Sequence, residues 1–201
     1  MEADKFVYEF KNSHKYKLFK DVLHKKIENE RHAKLILESN IGKLNHSHLL
    51  EIVNLVDECY SREACHVMPG PWFGRMLKSN TKNLLNSDIK DINIWFCILS
   101  NSYIDLPERI DMLRKDTYRI KGLNIGFITL MLYLLDNTRN LIWLEEHHEG
   151  LRMLDSELTR FSGKGEQYNI YNIHAYNFAA KYFFESVELD YVFSGIRYYM
   201  E

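Results

Sequence analysis

An all-α fold follows from three features of this 201-residue sequence. Only three prolines and nine glycines interrupt it, its apolar residues recur at helical spacing, and it lacks the run of short strands and turns that builds a sandwich. Hydrophobic residues make up 46% and charged residues 27%, the balance of a globular chain and not of a disordered one. The expected architecture is a compact multi-helix domain over 1–201, containing a helix-hairpin-helix-like corner. Residues 1–161 form its main body, and 167–201 form an aromatic-rich helical carboxy-terminal appendage beyond a glycine break at Ser162-Gly163-Lys164-Gly165.

The elements follow in order. Residues 15–37 place Phe19, Val22, Leu23, Ile27, Leu35 and Ile36 on one helical face, with Ser13 as amino-terminal cap and Asn40-Ile41-Gly42 as the exit. A second helix is expected over 47–65, capped by Ser47, with Leu49, Ile52, Val53, Val56, Cys59 and Tyr60 as its stripe. Met68-Pro69-Gly70-Pro71-Trp72-Phe73-Gly74 reads as the clearest turn, Trp72 filling space between helices. Short helices are expected over 72–78 and 81–85, and a more buried one over 89–99. Asp105 caps the next, with Pro107 in its first turn and Glu108 at the positive end of its dipole. The apolar run after Gly126 predicts a buried helix, and Asn140 is expected to cap another reaching about 158. The aromatics from Tyr168 onward, Tyr171, Tyr176, Phe178, Tyr182, Phe183 and Phe184, read chiefly as core.

Net charge is −2, so the whole chain does not attract nucleic acid, but its halves differ. Between Lys5 and Lys34 nine Lys/Arg stand against four acids; from Asp155 onward seven acids stand against four bases. Cys59, Cys65 and Cys97 form no C-x-x-C pair, which points to a reducing compartment and a cytoplasmic location. No signal-peptide pattern opens the sequence. The longest nearly apolar stretch, 123–135, has 13 residues and includes Asn124, short of the about 20 that cross a bilayer, so no membrane association is expected.

The main candidate site is Gly122-Leu123-Asn124-Ile125-Gly126. Two helices joined by a Gly-hydrophobic-Gly turn expose backbone N–H groups that hold a nucleic-acid phosphate, because a helix start combines unpaired donors with a positive dipole end. Asn124 stands where the second turn glycine belongs, and tolerates a positive φ better than most residues. The candidate phosphate-binding set is Arg119, Lys121, Gly122, Asn124 and Gly126. Glycosylases with this element carry a Lys or Asp downstream; Leu141-Ile142-Trp143-Leu144-Glu145 offers neither, so no catalytic residue is assigned.

A rival set is metal-binding: Glu63-x-x-His66 and Glu145-x-x-His148, with Glu28 and Glu108, follow the pattern of carboxylate-bridged di-metal bundles. Against it, Glu63 and His66 precede a proline turn, and His148 sits between Leu144 and Leu151 on an apolar face. Cys59, Cys65 and His66 make no zinc pattern, and no P-loop, dinucleotide-binding glycine signature, G-x-S-x-G or H-E-x-x-H is present. No cofactor is expected.

Residues 72–154 resemble a helical module of McrB-like modification-dependent restriction proteins. The resemblance rests on Trp72-Phe73-Gly74-Arg75-Met76-Leu77-Lys78, Ile104-Asp105-Leu106-Pro107-Glu108-Arg109-Ile110-Asp111, Lys121-Gly122-Leu123-Asn124-Ile125-Gly126, Ile142-Trp143 and Glu149-Gly150-Leu151. The family pattern has Asn after the Trp, where this chain has Leu144. The resemblance implies a non-catalytic DNA-binding or specificity module of a restriction or defence system. It would act on double-stranded DNA beside an AAA+ or nuclease partner protein, since this chain has no Walker motif. The alternatives are a protein-interaction or oligomerisation scaffold built on the carboxy-terminal aromatics, and a di-metal oxidoreductase.

Overall fold

The computed structural model describes residues 3–61, 72–115, 117–155, 158 and 163–200, with side chains outside 58–61, 72–76 and 197–200. The described residues form helices without a strand: α1 (Ala3–Asn12), α2 (His14–Asn40), α3 (His46–Ser61), α4 (Trp72–Leu85), α5 (Ile89–Ser100), α6 (Leu106–Arg114), α7 (Ile125–Leu135), α8 (Glu145–Leu154), α9 (Lys164–Tyr182) and α10 (Leu189–Met200). A 3-10 turn, Ser186–Glu188, precedes α10. No helix among these residues is long and apolar enough to cross a membrane.

α2 is a 27-residue helix free of proline and glycine, about 40 Å long at 1.5 Å per residue. The Ser13 hydroxyl accepts from the Tyr16 N–H at 3.1 Å, satisfying one amino-terminal donor, and the chain leaves through Gly42 at φ +80. Its inner face, Phe19, Leu23, Ala33 and Leu37, packs along α3 and α7. α7 is apolar all round and buried from Gly126 to Leu134, which makes it the central rod of the core.

After α7 the chain turns through 136–139 and runs back along the same helix as an extended strap, residues 140–144. Leu141, Ile142 and Trp143 are buried, so their backbone groups need partners inside the protein. Side chains supply them. The Leu141 N–H donates to Asn172 Oδ1 (3.1 Å) and the Leu141 carbonyl accepts from the Tyr168 hydroxyl (2.7 Å). The Ile142 carbonyl faces His147 Nδ1 (2.9 Å) and the Tyr171 hydroxyl (3.3 Å), and the Trp143 N–H donates to Thr129 Oγ1 (3.0 Å). The strap thereby joins α7, α8 and α9.

A second tie is ionic. Lys26 of α2 is buried, 2.9 Å from Glu30 and 3.6 Å from Asp190 of α10, and donates to the Val187 carbonyl (2.8 Å). Tyr133 of α7 donates to Glu30 at 2.7 Å. Burial raises the Glu30 carboxyl above its ordinary range against the opposing pull of Lys26. Glu188, also buried, accepts from Tyr16 (2.8 Å) and Lys20 (2.9 Å), and Phe19 stacks on Tyr191 with ring centres 4.1 Å apart. α9 and α10 turn their inner faces into one core with α1, α2 and α8. Gly150 permits this: a Cβ there would collide with the Phe193 carbonyl of α10.

Several boundaries differ from the sequence reading. Asn45, not Ser47, caps α3, accepting from the His48 N–H at 2.9 Å. Residues 72–85 form one helix where two were expected; Thr81 lies inside it with its hydroxyl donating to the Leu77 carbonyl (2.7 Å). Asn140 does not cap a helix; its amide donates to the Asp136 carbonyl, and α8 starts five residues later at Glu145 and ends at Leu154. Asp105 precedes α6 without a side-chain cap. The turn expected at 68–71 lies outside the described residues.

Thr129→Val keeps the shape but leaves the buried Trp143 N–H without an acceptor. It should lower unfolding stability by about 1–3 kcal/mol in chemical denaturation, while Thr129→Ser, which keeps the hydroxyl, stays closer to the parent. Equal stabilities for Val and the parent would show that the strap does not depend on this bond.

Candidate nucleic-acid interface

α6 ends at Arg114 and α7 starts at Ile125, so ten residues separate the helices that flank the corner. Gly122 takes the positive φ (+85) at the turn, and an added Cβ there would collide with Asn83. Asn124 is extended (φ −98) and acts as the α7 cap, its side chain accepting from the Phe127 N–H at 3.0 Å. The positive-φ role foreseen for Asn124 therefore belongs to Gly122 alone. Gly126 is buried beneath Leu144 of the strap.

α4 holds the loop in place. Asn83 donates to the Gly122 carbonyl (3.1 Å), and Asn80, fully buried, accepts from the Asn124 N–H (3.1 Å). The Leu123 N–H bonds the Ile120 carbonyl at 3.2 Å. Two of the amides counted on to hold an anion, those of Leu123 and Asn124, are thus already bonded inside the protein, as is that of Phe127 just beyond them. Ile125 remains at the mouth of the helix, where a first-turn N–H has no intrahelical acceptor. The first turn of α7 carries no acid. Asn80 and Asn83 were missed by the sequence reading; the only signal for them is a pair of asparagines three apart on one helix face.

Arg119 and Lys121 are exposed on this corner, without an ion-pair partner among the described residues. They line a groove of about 320 Å³ that also contains Asp88, the cap of α5, and Asp91 within it, whose negative charge lowers the pull on a phosphate. A longer cationic feature lies on α2, where Lys15, Lys17 and Arg31 are exposed and likewise without an ion pair among the described residues, beside exposed Asp21 and Glu28. Lys20 is held by Glu188, and Lys34 lies 3.6 Å from Glu38.

The metal candidates separate. Glu145 is exposed at the start of α8, whereas His148 is fully buried, its ring edge-on to Trp143 at 6.0 Å. Glu28 and Glu108 are exposed, and Glu63 and His66 lie outside the described residues. Among the described residues no group of three His, Cys, Asp or Glu is placed to hold a metal ion. The carboxy-terminal aromatics Tyr168, Tyr171, Phe178, Phe184, Tyr191 and Phe193 are buried, Tyr176 and Tyr182 are half-buried against the core, and Phe183, at φ +57, is 89% exposed.

His147 is a buried titratable group bonded to the strap. The Ile142 carbonyl can only accept, so Nδ1 carries the proton, and Nε2 is sealed from solvent without a partner among the described residues. Burial lowers its pKa, with the Ile142 contact, Asp190 and Glu146 pulling the other way and Lys26 adding to the fall.

No family model, curated protein or solved structure matches the chain.

The His147 shift has a signed consequence. The folded chain keeps this ring neutral while the unfolded chain protonates it below about pH 6.5, so folding stability falls as pH drops through that value, by up to about 1.4 kcal/mol per unit. The raised Glu30 works in the opposite sense as pH falls toward the ordinary carboxylate range, because there the folded chain binds the extra proton. The melting temperature of His147→Gln should therefore fall less than that of the parent between about pH 7 and pH 5. Parallel curves would remove His147 as the cause.

Proposed function

We propose that this chain is a non-catalytic helical module that binds double-stranded DNA through the phosphate backbone. It serves as the recognition or specificity component of a restriction or defence system, beside an AAA+ or nuclease partner. The observation that carries the reading is the corner: exposed Arg119 and Lys121 beside the acid-free first turn of α7, on a loop clamped by Asn80 and Asn83. A clamped loop loses little conformational freedom when a phosphate docks, and an arginine and a lysine beside a helix start are suited to that anion.

Asp88 and Asp91 across the groove set the limits of this corner. It orients a backbone phosphate at Ile125 and Lys121 more than it attracts one from a distance. Attraction falls to α2, whose Lys15, Lys17 and Arg31 present charge along a straight helix. Contacts of this kind recognise a duplex without reading its sequence. The assignment to a restriction system rests on the resemblance of residues 72–154 and on no feature of the fold.

Mobility shift on a short duplex at low salt provides the test. The parent should bind, and Lys121→Glu or Arg119→Glu should weaken binding and reduce the salt slope by about one for each phosphate that is no longer neutralised. Lys17→Glu with Arg31→Glu should weaken it further. No binding by the parent at low salt, or corner variants that bind like the parent, would overturn the reading.

A further inference from the structure

We propose that the cleft where the ends of α2, α5 and α7 meet α6 is a binding site for a small organic anion, a carboxylate or phosphate monoester with an apolar body, held by Arg109. The cleft has a volume of about 400 Å³, within the roughly 300–1,000 Å³ typical of small-molecule sites. Leu106 and Leu135 give it apolar walls, Ser100 and Ser102 bring hydroxyls, and Arg139 stands exposed at its rim.

The reason to assign an anion is an imbalance of partners. Arg109 is half-buried and uses one N–H, from Nη1, on the Leu99 carbonyl at 2.9 Å. Its Nε is closed off from solvent and has no acceptor, and no carboxylate lies within ion-pair distance of the guanidinium among the described residues. The two acids that line the same cleft already have partners. Glu38 lies 3.6 Å from Lys34. Asp136 accepts from the Thr138 N–H (3.0 Å) and hydroxyl (2.6 Å) and lies 3.6 Å from Arg139. A guanidinium carries five donors in a planar fork and stays charged, so half-burying one with no acid at ion-pair distance leaves donors that an anion's oxygens can take up. Burial lowers the Arg109 pKa against the opposing pull of Tyr168 and then Asp105, which agrees with the geometry. A carboxylate or phosphate in the cleft would meet the terminal nitrogens of Arg109, which lines it, with its apolar part against Leu106 and Leu135 and the Ser102 hydroxyl nearby.

The site stands apart from the corner, at the other end of α7, so it does not depend on DNA binding. The test uses the full chain with benzoate, phenyl phosphate and inorganic phosphate, against chloride at matched ionic strength, read by thermal melting and by titration calorimetry. At least one organic anion should raise the melting temperature above the chloride control; benzoate alone assigns a carboxylate, phenyl phosphate alone a phosphate monoester. Arg109→Gln should weaken binding by about tenfold or more. Ser102→Trp, which fills the mouth from an exposed position and leaves Arg109 intact, should abolish it, and this variant decides the matter if Arg109→Gln does not fold. The proposal is overturned if neither organic anion acts beyond chloride, if inorganic phosphate binds as tightly as phenyl phosphate, or if folded Ser102→Trp binds like the parent.

Discussion

The fold depends on a short length of buried, extended backbone. Residues 141–143 cross the core without a helix or a neighbouring strand to take up their N–H and carbonyl groups, and an unpaired buried amide or carbonyl is strongly unfavourable. Thr129, Asn172, Tyr168, Tyr171 and His147 meet that requirement from three helices. Each must sit in its observed place for the others to be useful, so the strap fixes the relative positions of α7, α8 and α9. The helical ladders are locally determined; this junction is where they become one structure.

The buried charges act in a similar way at the other side of α7. Lys26, Glu30, Tyr133 and Asp190 join α2, α7 and α10. Such a network adds little net stability over apolar packing of equal volume, because desolvation offsets most of the Coulomb gain. What it contributes is discrimination: a shifted register of α2 on α7 would leave Lys26 or Glu30 buried without its partner. Phe19 against Tyr191, and Lys11 donating to the Tyr182 carbonyl at 2.6 Å, bring the amino-terminal segment onto the carboxy-terminal one, so the two ends of the chain stabilise each other.

What the sequence made legible was what local chemistry controls. The Ser13 cap, the apolar rod of α7 and the core role of Tyr168, Tyr171 and Phe178 could all be read from spacing. The strap could not. Leu141-Ile142-Trp143-Leu144 is a four-residue apolar run, too short for periodicity to separate a helix from an extended segment, and the groups that hold it lie up to 31 positions away. The candidate site divides along the same line. Gly122 as a turn and Arg119 and Lys121 as surface cations followed from residue type, whereas Asn80, Asn83, Asp88 and Asp91 reach the corner from other helices. Arg109 looked like an ordinary first-turn helix residue, because an absent partner is a property of the folded state.

α7 and its strap therefore form one rigid unit, with the cationic corner at its amino-terminal end and the Arg109 cleft at its carboxy-terminal end. Native-state amide hydrogen exchange measures that rigidity residue by residue. The Leu141 and Trp143 amides, bonded only to side chains, should exchange as slowly as the α7 interior and solely through global unfolding. Exchange of Trp143 by local opening, well ahead of the Leu130–Leu134 amides, would contradict that rigidity.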